Sequence, residues 1–108
     1  MSLQQTIENI WDNRDLLQKE ESKTVIREVI ALLDKGELRV AEPTENGWQV
    51  NEWVKKAVVM YFPIQKMETI EVGPFEFHDK IPLKKNYAEK GVRVVPHAVA
   101  REGAYISP

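Results

Sequence analysis

An arginine inside a short run of valines is the first side chain in this sequence that could do chemistry. Arg93 lies within residues 92–95, which read VRVV. A guanidinium presents its donors in a planar fork that matches a carboxylate, so an arginine here could clamp an acidic ligand. An arginine on a strand can equally well face water, and the residues alone leave both interpretations open. Arg101 is a weaker second candidate.

The two histidines of the chain do not form a motif. Neither His78 nor His97 stands at a spacing typical of metal ligation. His78 precedes Asp79, and such a pair could act as a general base oriented by a carboxylate, although a surface or interface histidine is the favoured interpretation. No GxSxG, P-loop or GxGxxG motif occurs, and no carboxylate pair stands out. The residues therefore predict no catalytic group and no metal site in this chain.

Composition predicts one ordinary globular domain. The 108 residues are 43% hydrophobic and 30% charged, with a net charge of −2, which gives no electrostatic reason to expect nucleic acid or anionic lipid as a partner. There are no cysteines. No apolar run approaches the roughly 20 residues of a membrane span, and residues 1–5 lack the features of a signal peptide. We therefore expect a cytoplasmic location.

Apolar residues at helical spacing predict two helices near the N-terminus. The first is expected to run for about four turns, and residues 18–22 to connect it to the second. Ser22 or Thr24 is expected to cap the second helix, and Gly36 to end it in the left-handed conformation. The stripe of the first helix consists of Leu3, Ile7, Ile10, Arg14 and Leu17.

A hairpin and a third helix are predicted next. Asn46-Gly47 is a strong turn signal between two alternating runs, and Trp48, like the other two tryptophans, is expected in the core. Asn51 is expected to cap the third helix and Pro63 to end it. Residues 64–83 read as loop-rich, with two short strands around a turn at residues 73–74. A single helical turn closed by Gly91 and a strand over residues 92–95 are expected to follow.

Five segments, in the same order, resemble the 2,3,4,5-tetrahydropyridine-2,6-dicarboxylate N-succinyltransferase family, also called tetrahydrodipicolinate succinylase. Residues 29–42 read VIALLDKGELRVAE, and residues 46–58 read NGWQVNEWVKKAV. Residues 79–82 read DKIP, residues 91–96 read GVRVVP, and residues 98–106 read AVAREGAYI. The resemblance is spread over most of the chain, which makes it specific.

The resemblance implies a fold and an activity. Members of the family are cytoplasmic homotrimers of lysine and diaminopimelate biosynthesis, and they transfer a succinyl group from succinyl-CoA to the amino group of tetrahydrodipicolinate. An α-rich N-terminal domain precedes a left-handed β-helix of hexapeptide repeats, and CoA and substrate lie between neighbouring β-helices. Arg93 matches the substrate-binding arginine of the family motif GxRVVP. His78 and His97 stand where the family usually has phenylalanine and proline, and residues 83–90 form a shorter segment than in many relatives.

We therefore expect a helix-rich α+β chain with two parts. Residues 1–90 would form the α-rich N-terminal domain, and residues 91–108 a linker strand and the start of the β-helix. This interpretation makes the chain a fragment of the enzyme, with Arg93 as its substrate ligand, no CoA binding and no turnover alone. The alternative is a stand-alone interaction module without catalysis, which would bind a partner through residues 64–83 or an exposed apolar patch.

Overall fold

A computed structural model describes residues 1–108 as three α-helices and two separate two-stranded hairpins. This confirms the predicted helix-rich α+β class. None of the helices combines the length and the apolar character that a membrane crossing requires. In chain order the elements are α1 (Leu3–Asp12), a 3₁₀ helix (Arg14–Gln18), α2 (Glu20–Lys35), β1 (Ala41–Thr44), β2 (Gly47–Val50), α3 (Glu52–Ile64), β3 (Glu68–Val72) and β4 (Phe75–Asp79).

The first helix is shorter than predicted. It begins at a Ser2 cap, whose hydroxyl accepts the Gln5 N–H at 3.1 Å, and ends at Asp12. Asn13 leaves the helical region with φ −137° and ψ 86°, and the 3₁₀ helix follows. The prediction of a continuous four-turn helix was therefore wrong. The side chains of Asp and Asn can hydrogen-bond to nearby backbone groups in place of the helical bonds. Asp12 and Asn13 therefore favour the end of the helix at this point.

The second helix begins earlier than predicted. It starts at Glu20, so Ser22 and Thr24 both lie inside it; Ser22 is buried and the Thr24 hydroxyl donates to the Glu20 carbonyl. Neither is the predicted cap. Acidic residues in the first turn are favourable beside the positive end of the helix dipole, which explains how this polar segment begins a helix. Gly36 ends the helix with φ 78°, which confirms the predicted left-handed residue.

The core lies where the three helices pack together. Leu16 and Leu17 join its edge from the 3₁₀ helix, so the break after α1 redirects apolar side chains without exposing them. Arg14, which belongs to the α1 row in the sequence, stacks its guanidinium on the Trp11 ring at 3.9 Å instead. The buried apolar residues are Ile7, Ile10, Ile26, Val29, Ile30, Leu33, Val54, Ala57, Met60, Tyr61, Ile64 and Ile81.

The ends of the third helix differ in detail from the prediction. Asn51 precedes α3 as expected, but its side chain does not cap the helix; it donates to the Arg39 carbonyl at 2.8 Å and thereby holds the segment before β1. Pro63 lies inside the last turn, and the helix ends one residue later at Ile64. Burial of the Ile64 side chain in the core favours that extra residue.

Both predicted hairpins are present. Strands β1 and β2 are antiparallel, with Thr44 opposite Gly47, and β3 and β4 are antiparallel, with Val72 opposite Phe75. Each sheet has only two strands. Trp48 on β2 remains 74% exposed, so its predicted core position was wrong. Every residue of β2 is exposed, because the ribbon extends beyond the helices rather than packing on them.

Replacing Trp48 by alanine should therefore change the free energy of unfolding by no more than about 0.5 kcal/mol. The matched substitution Met60→Ala removes a fully buried side chain from the core and should cost about 2–5 kcal/mol. Urea unfolding followed by circular dichroism measures both values. A loss above about 1.5 kcal/mol for Trp48→Ala would show that the ribbon packs on the helices after all.

The C-terminal segment forms no strand over residues 92–95, contrary to the prediction. The pairing there is a single antiparallel bridge between Leu83 and Arg101. It is flanked by a bond from the Lys84 N–H to the Ala100 carbonyl at 2.9 Å. The predicted turn before it is present, with the Lys90 N–H bonded to the Asn86 carbonyl. Valine alternation indicates a strand only where a neighbouring strand can pair with it.

Candidate functional site

The arginine predicted to bind substrate is exposed and unpaired. Arg93 follows the turn at residues 86–91, and its guanidinium makes neither a hydrogen bond nor an ion pair with another residue of the chain. An arginine that serves the fold usually has a carboxylate or carbonyl partner. The donors of Arg93 are therefore available to an external anion.

Apolar residues surround this arginine. A groove of about 400 Å³ runs along the segment, and Arg93 is its one charged residue. This volume lies within the roughly 300–1,000 Å³ typical of small-molecule sites. An apolar wall beside a single cation suits a carboxylate attached to a hydrocarbon frame, because the wall weakens the screening of charge by water. The lining residues are Tyr87, Val92, Arg93, Val94, Val95, Ala98, Val99, Ala100 and Ile106.

The second candidate arginine is engaged within the chain. Arg101 pairs with Asp79 at 2.8 Å, and its guanidinium lies 5.6 Å from the centre of the Phe62 ring. The Lys80 backbone N–H, and after it the charge of Arg101, lower the pKa of the Asp79 carboxyl. Arg101 therefore joins the end of β4 to the C-terminal segment and to α3. This position is that of a structural residue.

The structure separates the two histidines from any catalytic partner. His78 Nδ1 lies 3.0 Å from the Thr69 hydroxyl on the paired strand, while the neighbouring Asp79 carboxylate faces Arg101. His97 has φ 73° and packs the edge of its ring against Phe75, with centroids 5.3 Å apart. No group of three or more histidine, aspartate or glutamate side chains is arranged to hold a metal ion.

A buried ion pair anchors the C-terminal segment to the helices. Asp34, in the last turn of α2, accepts hydrogen bonds from the Lys84 ammonium at 2.5 Å and from the Gly103 N–H at 2.9 Å. The Lys84 side chain is only 2% exposed and also donates to the Asp34 carbonyl. Lys90 adds a more distant charge, 4.0 Å from the same carboxylate. One carboxylate thus connects a helix with three points of the segment that carries Arg93.

The partners of Asp34 keep it ionised. Burial by itself raises the pKa of this carboxyl, but the hydrogen bonds from Lys84 and Gly103 and the charges of Lys84 and Lys90 together outweigh burial. The pKa therefore lies below its ordinary value. The charge that fastens the segment is present throughout the neutral pH range.

Two tyrosines complete this attachment. The Tyr105 ring covers Gly36 so closely that a Cβ there would lie 2.8 Å from a ring carbon, and the Arg39 guanidinium lies 4.5 Å from the ring centre. Tyr61 donates its hydroxyl to the Glu102 carboxylate at 3.2 Å. Burial, reinforced by Glu102, raises the pKa of Tyr61 to about 12. Gly36 is thus required twice, for its positive φ and for the space that Tyr105 occupies.

No local pattern predicted the pairing of Asp34 with Lys84. The two residues are 50 positions apart and each lies in a polar stretch. The two residues meet because the chain, after leaving β4, passes the end of α2. Gly36, in contrast, did predict the end of α2, which is where the C-terminal segment packs.

Comparison with known proteins shows which family the chain resembles. The profile of the family described as "Tetrahydrodipicolinate N-succinyltransferase N-terminal" matches residues 2–64, more than half of the chain. Among similar curated proteins, a Bordetella petrii protein is 45% identical over 99% of this chain. Proteins of Alkalilimnicola ehrlichii and Coxiella burnetii are 45% and 40% identical, each over 98% of the chain. All three are named 2,3,4,5-tetrahydropyridine-2,6-dicarboxylate N-succinyltransferase.

These relatives are longer proteins. The chain spans 43% of the Bordetella petrii and Alkalilimnicola ehrlichii proteins and 42% of the Coxiella burnetii protein, less than half of each. The matches nevertheless cover nearly all of this chain, including the segment that carries Arg93. The similarity therefore extends from the helical core to the groove.

Proposed function

Because the chain belongs to the tetrahydrodipicolinate N-succinyltransferase N-terminal family, we propose that it contributes the N-terminal part of such an enzyme. The proposed reaction transfers succinyl from succinyl-CoA to the amino group of ring-opened tetrahydrodipicolinate, which forms when water adds to the cyclic imine and the ring opens. The amine nitrogen attacks the thioester carbonyl, a C–N bond forms, the C–S bond breaks, and CoA leaves with the proton lost by the amine. The names of the three relatives support this reaction.

Arg93 is the residue of this chain that we assign to the amino acceptor. The observation that carries the assignment is its exposed guanidinium, which has no partner in the chain and borders an apolar groove. Tetrahydrodipicolinate is a dicarboxylate, so a planar fork of donors can hold one carboxylate and orient the rest of the molecule. Arg93 thus acts by binding and positioning and moves no proton.

The remaining parts of the proposal concern the whole enzyme. Succinyl-CoA would bind to the part of the enzyme that lies outside this chain. The whole enzyme would be a homotrimer located in the cytoplasm. The resemblance to the family supports these points. The attachment of residues 98–106 to α2 through Asp34 and Tyr105 would then hold the chain in a defined direction as it leaves the helical domain.

A chimaera tests the proposed activity. This chain replaces the matching N-terminal part of the Bordetella petrii protein, and CoA release is measured with succinyl-CoA and tetrahydrodipicolinate. We expect transfer by the chimaera and none by the 108-residue chain alone. A chimaera that unfolds cooperatively but transfers no succinyl, beside an active Bordetella petrii protein, would refute the proposal. Turnover by the isolated chain would refute the proposal that succinyl-CoA binds to a part of the enzyme outside this chain.

A further inference from the structure

A second concave surface lies away from the Arg93 groove. It is a cleft of about 770 Å³ between the first half of α2, the end of α3 and the β3–β4 hairpin, and it shares no lining residue with the groove. Nothing in the proposed transfer reaction uses it. Its lining residues are Glu20, Lys23, Arg27, Ile64, Gln65, Lys66, Glu68, Ile70, Val72, Asp79, Lys80, Ile81, Pro82, Leu83 and Lys85.

The cleft is cationic although the chain as a whole is slightly acidic. Of its three carboxylates, Glu20 is paired with Lys23 at 3.4 Å and Asp79 with Arg101 at 2.8 Å. Four cations then face a single free carboxylate, while the net charge of the chain is −2. An excess of one sign of charge in a concave surface attracts ligands of the opposite sign. The four cations are Arg27, Lys66, Lys80 and Lys85, and the carboxylate is Glu68.

One of these cations is held in place before any ligand arrives. Arg27 donates from Nε to the Gln65 side-chain oxygen at 3.1 Å and from Nη2 to the Ile64 carbonyl at 3.3 Å. Gln65 in turn donates to the Lys80 carbonyl at 3.3 Å. These bonds join α2, the end of α3 and the segment after β4 with neutral acceptors. Two of the five guanidinium donors are used, so others remain for a ligand, and the charge is not neutralised.

The floor of the cleft is apolar. Ile64 and Ile81 belong to the buried core, and Ile70 and Leu83 extend the same surface. A fully hydrated inorganic ion gains nothing from such a floor, whereas an organic body placed on it removes apolar surface from water. Cations around an apolar floor therefore favour a molecule that has both negative charges and a hydrocarbon frame.

We propose that this cleft binds a small organic anion carrying at least two negative charges on an apolar body. Arg27 provides the contact held by hydrogen bonds, and Lys66, Lys80 and Lys85 provide further ammonium groups. The site is additional to the amino-acceptor site assigned to Arg93. It would give the N-terminal domain a ligand of its own.

Binding of isophthalate to the full 108-residue chain tests this proposal. Its neutral isostere, isophthalamide, has the same ring and lacks the charges. In an NMR titration we expect saturable shifts of the Gln65, Lys66 and Lys80 amides with isophthalate and none with isophthalamide. Because the contacts are charged and partly exposed, added salt should weaken the binding.

Matched variants separate the cleft from general attraction of anions. Lys66→Gln combined with Lys80→Gln should raise the Kd for isophthalate about fivefold, since two exposed charge contacts are lost. Lys55→Gln removes an exposed lysine outside the cleft and should leave the Kd unchanged. Equal binding of isophthalamide, an unchanged Kd in the double variant, or shifts confined to residues 92–100 would each overturn the proposal.

Discussion

Replacing Arg93 by alanine in the chimaeric enzyme should raise the KM for the amino acceptor roughly tenfold to a hundredfold. In the proposed assignment, the substitution removes a charged hydrogen-bonded contact with a substrate carboxylate, a loss of about 1.5–3 kcal/mol. Folding should be little affected, because Arg93 is exposed and bonds to no other residue of the chain. Steady-state kinetics with varied tetrahydrodipicolinate at saturating succinyl-CoA gives the value.

Two further arginine variants serve as controls. Arg93→Lys keeps the charge but loses the planar fork, so its KM should fall between those of the native chimaera and the alanine variant. Arg101→Ala removes the other candidate, which is paired with Asp79, and should leave the KM unchanged while costing at most about 1 kcal/mol of stability. If Arg93→Ala altered neither KM nor kcat, the residue would have no part in the site.

Replacing Asp34 by alanine should destabilise the 108-residue chain by about 3 kcal/mol. The substitution leaves the Lys84 ammonium buried without a counter-charge, and breaking one side of a buried pair costs about 3–5 kcal/mol. The lower end applies because Asp34 itself is 19% exposed. Urea unfolding provides the measurement. The double variant Asp34→Ala with Lys84→Met should recover much of the loss, because it removes the buried charge as well.

The same ion pair predicts how stability depends on pH. The pKa of Asp34 is lower in the folded chain than in the unfolded chain, where an aspartate carboxyl has a pKa of about 3.9. Its contribution is therefore complete above that value and is lost as the pH falls through the folded pKa. The difference in stability between the native chain and Asp34→Asn should be constant from pH 7 to about 5 and shrink below about 4. A difference that grows on acidification would contradict the assigned charge state.

Local signals in the sequence predicted several elements of the fold well. Gly36 and the turn at residues 73–74 were correct because each depends on the conformational preference of one or two residues. The first hairpin turns one residue earlier than predicted, at residues 45–46, and Gly47 already pairs with Thr44. The break after α1 and the early start of α2 were missed, because polar residues such as Asn13 and Glu20 are compatible with either a helix or a loop. Their state depends on how the neighbouring apolar residues reach the core.

The positions of side chains were less predictable than the elements that carry them. Trp48 alternates like a core residue but projects into solvent, because hydrophobic alternation gives the period of a strand and not what lies on either side of it. The valines around Arg93 predicted a strand that lacks a partner. For Arg93 itself, the sequence did not decide whether the side chain faces solvent or binds a ligand.

The sequence by itself determined the class of fold, the helical core and the family. Each of these depends on the spacing of apolar residues or on continuous segments of sequence. Tertiary structure alone decided that Asp34 meets Lys84, that Arg101 is paired, and that Arg93 is free beside an apolar groove. These features join residues distant in the chain. Whether a charge is a structural partner or an available ligand group depends on which other charges folding brings within a few ångströms of it.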